Sequence, residues 1–69
     1  MKPLTPKQHT VLAFIDRHIR RYGYAPTVRE LAEKTGRSRT AAQYLIEQLI
    51  EKGYLEREAG KARHLKLAS

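Results

Sequence analysis

The sequence predicts a mainly helical domain, three helices closed by a small two-stranded hairpin, and three observations lead there. Thr5, Thr27 and Ser38 each stand just before an apolar stripe at helical spacing, and the first two are followed three residues later by Gln8 and Glu30. That pairing is a reciprocal cap, in which the Thr hydroxyl and the Gln or Glu side chain satisfy backbone donors that the first turn of a helix leaves open. Each stripe then runs into a glycine, Gly23, Gly36 or Gly53, the residue that most easily takes the left-handed conformation of a helix end. Beyond Gly53 the spacing changes, and two short segments, YLERE (54–58) and RHLKL (63–67), have the apolar content and alternation of strands.

The first helix begins at about Pro6, where a missing N–H costs nothing. Gln8, Val11, Leu12, Ile15, Ile19 and Tyr22 fall on one stripe, widened by Phe14, with Lys7, Thr10, Ala13, Arg17 and Arg21 opposite. Tyr24, Ala25 and Pro26 are extended, because proline excludes the α region from the residue before it. The second helix turns Val28, Leu31 and Ala32 inward. Thr35, Gly36 and Arg37 connect it to the third, and Ala32, four residues before Gly36, is small enough for the two helices to cross closely. The third helix runs from Ser38 to about Lys52, burying Ala41, Ala42, Leu45, Ile46, Leu49 and Ile50 and presenting Thr40, Gln43, Tyr44, Glu47 and Glu51. In the hairpin, Tyr54 and Leu55 supply the first strand, Ala59, Gly60 and Lys61 the turn, and Leu65 and Leu67 one face of the second. A two-stranded hairpin is not stable alone, so it must lie on the helices as a wing. The fold class is therefore mainly α with a small β-hairpin, a winged helix-turn-helix: one domain over 1–69, its helix-turn-helix at 27–53 and its wing at 54–67.

Composition narrows the function. At 69 residues one core is barely affordable, with no room for an enzyme's cleft beside it. The formal charge of +7 suits a polyanion, although basicity alone fits RNA, a membrane or an acidic protein equally. The absence of cysteine excludes a disulfide frame and a thiolate metal site. No membrane span and no signal peptide can be read, so a cytoplasmic location is expected. His9 and His18 lie out of phase on one helix and His64 is remote, so no metal site is expected. There is no nucleophile with a base, no meaningful carboxylate pair and no glycine-rich phosphate loop, hence no catalytic residues, no cofactor and no evident small-molecule ligand.

Charge placement says more than its sum. Between Lys34 and Ile46 stand Lys34, Arg37 and Arg39 with no acid; Glu47, Glu51, Glu56 and Glu58 follow, then Lys61, Arg63 and Lys66. A phosphate backbone should therefore meet the turn, the start of the third helix and the wing, with the acidic stretch facing away. Ser38, Arg39, Thr40, Gln43 and Tyr44 occupy the part of the third helix that enters a major groove and are the expected base contacts. Ser38 should also cap that helix, whose free amides suit a phosphate. Thr27, Arg29, Arg37, Lys61 and Arg63 are the expected backbone contacts. The plainer readings are a solvated helix face and solvated lysines at a turn tip. Tyr22, Tyr24 and Tyr54 could form a stacking platform for single strands, but core and edge packing is the expectation for them. Two other functions compete: a basic RNA-binding domain, and a winged helix used for protein contact, for which Tyr44 and Phe14 speak.

Taken in order, LTPKQHTVLAFI, YAPTVRELAEKTGRS, AAQYLIEQLIEKGYLER and RHLKL make residues 4–67 resemble the N-terminal DNA-binding domain of LexA-type repressors. The LTxxQ start, the PT before the second helix, the RS opening the third and the LIEQLIEKG close carry the likeness. It implies a transcriptional repressor that binds a palindromic operator on double-stranded DNA as a homodimer, in LexA itself over DNA-damage genes. In that family the base-reading positions correspond to Ser38, Thr40, Gln43 and Tyr44, where Thr40, Gln43 and Tyr44 replace a familiar asparagine and two glutamates. The resemblance thus implies a different operator. The family's full repressors continue into a self-cleaving serine-lysine domain that supplies dimerisation, so this sequence is expected to be either the DNA-binding part of such a repressor or a stand-alone regulator, monomeric off DNA.

Overall fold

A computed structural model describes residues 2–57 and 65–68. The elements follow in the order α1 (Pro6–Tyr22), α2 (Val28–Thr35), α3 (Arg39–Glu51), β1 (Leu55–Arg57) and β2 (Leu65–Leu67), three helices and an antiparallel hairpin, the winged helix-turn-helix the sequence predicts.

Local chemistry sets the helix boundaries. Thr5 and Thr27 each accept from the backbone amide three residues on, at 3.2 and 3.1 Å, while Gln8 and Glu30 reach back to the amides of the same threonines at 3.1 and 2.8 Å. Ser38 opens α3 by accepting from the Ala41 amide at 3.1 Å. At the other end of α2, Gly36 lies at φ 69°, and its amide and that of Arg37 both donate to the Ala32 carbonyl. A Cβ at Gly36 would meet nothing within 4 Å, so the residue answers a conformational demand, not a packing one. The closeness of the helices there comes from buried Ala32. Gly53, at φ 89°, ends α3 in a Schellman turn: its amide donates to the Ile50 carbonyl and that of Tyr54 to Leu49, which turns the chain directly into β1.

The core gathers Val11 and Ile15 of α1, Ala25 of the α1–α2 link, Leu31 and Ala32 of α2, Ala42, Leu45, Ile46 and Leu49 of α3, and one leucine from each strand, Leu55 and Leu65. α3 is the central element: α1, α2 and β1 all pack against it. Leu4, Leu12, Phe14, Ile19, Val28, Ile50, Tyr54 and Leu67 line the edge of that core. The strands pair Leu55 with Leu67, Glu56 with Lys66 and Arg57 with Leu65. Alternation accounts for buried Leu55 and Leu65 and exposed Glu56 and Lys66, whereas Arg57, on the same face as Leu55, lies beyond the core and is exposed.

One polar residue is buried in this apolar setting. Gln8, 3% exposed, donates from Nε2 to Gln48 Oε1 at 2.9 Å, and its Oε1 accepts from the Thr5 amide and from Lys52 Nζ. Lys52 Nζ also donates to the Pro3 carbonyl, and the Tyr54 hydroxyl donates to that of Lys2. The residues before α1 are thereby fastened to the end of α3 and the foot of the wing. The sequence places Gln8 on an apolar stripe and in a cap; both hold, because burial is tolerated once its amide oxygen and its amide nitrogen each have a hydrogen-bond partner.

Two expectations are corrected. Tyr22 was placed on the α1 stripe, and both Tyr22 and Tyr24 were expected to pack inside or along an edge; they are 51% and 46% exposed. The stripe is long enough to reach Tyr22, but the core it faces ends near Ile19, so the last turn of α1 projects beyond it. The third tyrosine of that group, Tyr54, does pack against the core. Among the described residues no helix is long and apolar enough to cross a membrane.

Candidate nucleic-acid interface

The predicted recognition face is assembled by the start of α3, whose direction is set by the Ser38 cap and by burial of Ala42, Leu45, Ile46 and Leu49 on its other side. With those four inward, Arg39, Thr40, Tyr44 and Glu47 are exposed and Gln43 is half-buried. Tyr44 is the most exposed large hydrophobic side chain among the described residues, at 61%. Arg39, Thr40, Gln43, Tyr44 and Glu47 line one groove together with Val28, the first residue of α2. Val28 does double duty there, packing one flank on the core and turning the other to the groove. The sequence reading took it as inward only; its place at the first position of α2, next to the Thr27 cap, was the signal that it borders the solvent side of the two-helix unit.

Glu47 belongs to this face, as helical phase places it with Gln43 and Tyr44, so the acidic stretch does not turn away as a block. It follows Gln43 by four residues, one helical turn, and so shares its side. Its Oε1 accepts from Gln43 Nε2 at 3.4 Å and lies 3.6 Å from a guanidinium nitrogen of Arg57 on β1. Among the described residues, the wing's cation thus offsets the acid that lines the groove, and the pair links the wing to α3. Glu56 is likewise matched on the hairpin, 3.5 Å from Lys66.

A second basic group forms at the turn. Arg29, Arg37 and Arg39 converge with Ala32 and Glu33 around a shallow recess. Arg29 Nε donates to Glu33 at 3.2 Å. Arg37 is held by the turn itself, its amide bonded to the Ala32 carbonyl, and its Nε is buried with no hydrogen-bond partner among the described residues. The Arg37 side chain also lines the recess, so its guanidinium lies beside those of Arg29 and Arg39. Lys34, which the sequence grouped with Arg37 and Arg39, points elsewhere: it borders a cleft between α1 and α2.

Of the predicted site residues, the structure brings Arg39, Thr40, Gln43 and Tyr44 into one groove and Arg29 and Arg37 into the recess beside it, with Arg39 common to both. Ser38 and Thr27 sit at the starts of α3 and α2 as caps. Lys61 and Arg63, with the expected turn at 59–61, lie outside the described residues. No group of three His, Asp or Glu side chains able to hold a metal ion occurs among the described residues.

Comparison with known proteins identifies the family. A family model described as the LexA DNA binding domain matches residues 1–64. The chain is 43% identical over 67 residues to the LexA repressor of Thermotoga neapolitana, an alignment covering 97% of this chain and 34% of that protein. It is 46% identical over 69 residues to LexA repressor 2 of Geobacter sulfurreducens, covering 97% and 34%. Against the LexA repressor of Oleidesulfovibrio alaskensis it is 47% identical over 62 residues, covering 90% and 30%. The chain spans about a third of the length of the curated relatives it matches.

Proposed function

This chain belongs to the LexA DNA-binding domain family, and from that premise we propose that it is the sequence-specific, double-stranded-DNA-binding module of a transcriptional repressor acting in the cytoplasm. The observation that carries the reading is a cluster of three guanidinium side chains, Arg29, Arg37 and Arg39, lining one recess at the turn of a helix-turn-helix. A phosphate oxygen is the acceptor that chemistry suits, since charged, planar guanidinium hydrogen bonds to phosphate are among the strong ones. With the backbone held there, the start of α3 enters the major groove. Arg39, Thr40, Gln43 and Tyr44, with Ser38 at the helix start, then face base edges, while Thr27, Arg29 and Arg37, and Lys61 and Arg63 of the wing, take the phosphates. The domain occupies 1–69, with the helix-turn-helix at 27–53 and the wing at 54–67.

The operator is a palindrome, and two copies of the chain occupy its half-sites as a homodimer on DNA, because two-fold protein symmetry is mirrored in the site it reads. Selecting bound duplexes from a random library tests both statements. The expected result is a half-site repeated with two-fold symmetry; a single unrepeated site would refute the pairing, and no enrichment would refute the function. Within the selected operator, Gln43→Ala should weaken binding by about 1–3 kcal/mol and relax the preference at one position, whereas Lys61→Ala should weaken all sequences alike. If Gln43→Ala leaves affinity and preferred sequence unchanged, α3 does not dock in this orientation.

A further inference from the structure

The cleft between the second half of α1 and the outer side of α2 is a second binding surface, and it shares no residue with the α3 groove. It encloses about 500 Å³, within the range of sites that hold a small group or a side chain. Its wall is a chain of rings. His18 stands at the centre, 6.1 Å from Phe14, 4.6 Å from Tyr22 and 5.7 Å from Tyr24, centroid to centroid, and its Nδ1 is 2.8 Å from the Tyr24 carbonyl oxygen. Two of the three exposed large hydrophobic side chains among the described residues, Tyr22 and Tyr24, are therefore ordered against each other instead of being scattered over the surface. Tyrosine rings held together at a surface suit a partner, since tyrosine is enriched at interfaces.

Charge selects the partner. Arg17, Arg21 and Lys34 border the cleft, and none of them makes an ion pair among the described residues. The two acids at its margin are engaged within α2: Glu30 accepts from the Thr27 amide at 2.8 Å and Glu33 pairs with Arg29. Three cations against two carboxylates leave the rim net positive, and beside an aromatic wall that balance calls for carboxylates surrounding an apolar or aromatic anchor. Base stacking fits less well. The Arg21 guanidinium lies over the Tyr22 ring at 5.5 Å, and the Tyr22 and Tyr24 rings, 6.1 Å apart with planes 30° from parallel, leave no gap for a base between them. We propose that this cleft docks an acidic peptide segment of a partner protein, its apolar anchor against Tyr22, Tyr24 and His18 and its carboxylates on Arg17, Arg21 and Lys34.

The test follows amide resonances of the isotope-labelled chain on titration with a short synthetic peptide of glutamates around one leucine-phenylalanine pair. Saturable shifts confined to the second half of α1, the Tyr24 loop and α2, with a dissociation constant of about 100 µM or tighter, are expected. Arg21→Glu and, separately, Lys34→Glu should each weaken binding by about tenfold, and Tyr22→Ser by a similar factor, all at exposed positions where folding is monitored in the same spectra. A control peptide with the anchor pair replaced by serine should bind at least tenfold more weakly. Equal binding of that control, shifts centred on Arg37 and Arg39, or stronger binding of an oligothymidylate at the same residues would each overturn the proposal.

Discussion

The two sides of α3 are built from consecutive residues of one short helix and obey different rules. Ala42, Leu45, Ile46 and Leu49 are buried, with Ala42 and Leu49 fully so, and they touch all the other elements that pack on this helix. Arg39, Thr40, Tyr44 and Glu47, a turn or less away in sequence, are exposed and connect to the rest of the molecule mainly through the Glu47–Arg57 pair. The difference teaches how such a domain keeps its fold while changing what it reads. Apolar burial fixes where the helix lies, and the outward residues can then be exchanged with little structural consequence. That division lets residues such as Thr40, Gln43 and Tyr44 vary on a framework held by the caps and the core.

The comparison breaks most visibly if the inner side is damaged. Leu49→Ala removes a fully buried side chain at the junction of the helices and the wing and should cost about 2–5 kcal/mol in denaturant unfolding. A loss below about 1 kcal/mol would mean that the core relaxes into the space, contrary to close packing around α3. Gly36→Ala tests the hinge between α2 and α3. Space is open at that Cβ, so the expected loss, about 1–2 kcal/mol, comes from the left-handed conformation alone. An unchanged unfolding midpoint would show that the turn has another conformation open to it.

On the outer side the expected stability changes are small and the changes in recognition are not. Gln43→Ala should leave the unfolding midpoint in place while it alters binding, which separates the two faces in one variant. Arg57→Ala sharpens the contrast further. Its pair with Glu47 is solvent-exposed, with side chains 46% and 57% accessible, so the stability change should stay within about 0–1 kcal/mol. Loss of the offsetting cation leaves Glu47 uncompensated in the groove, and affinity for duplex DNA should fall more steeply at low salt than at high salt. A salt-independent effect would show that Arg57 acts through contact and not through its charge.

Much of the fold is legible in the sequence because its determinants are local. The reciprocal caps at Thr5 and Thr27, the Ser38 cap and the stops at Gly36 and Gly53 involve hydrogen bonds that span a few residues, so spacing alone reveals them. The same holds for Leu55 and Leu65, whose burial follows from strand alternation once a core is assumed. The candidate site was legible in part: the face of α3 follows from helical phase, which puts Arg39, Thr40, Gln43 and Tyr44 together.

What escaped the sequence involves partners far apart in the chain or the extent of a surface. Periodicity puts Tyr22 on the apolar stripe of α1 but carries no information about where the neighbouring helices end, and that end leaves Tyr22 and Tyr24 outside. Val28 is apolar and in phase with Leu31, yet its place at the crossing with α3 gives it a second, outward flank. Gln8 meets Gln48 and Lys52 some 40 residues away, and Glu47 meets Arg57 across the helix-to-strand turn. By itself the sequence determined the three helices, their caps and stops, the wing and the face of α3, because each depends on hydrogen bonds or side-chain phase within a few residues. Only the tertiary structure decided which cations gather at Arg37, which acid remains in the groove and which rings stay exposed, because those depend on how closely separate elements approach and where each one stops.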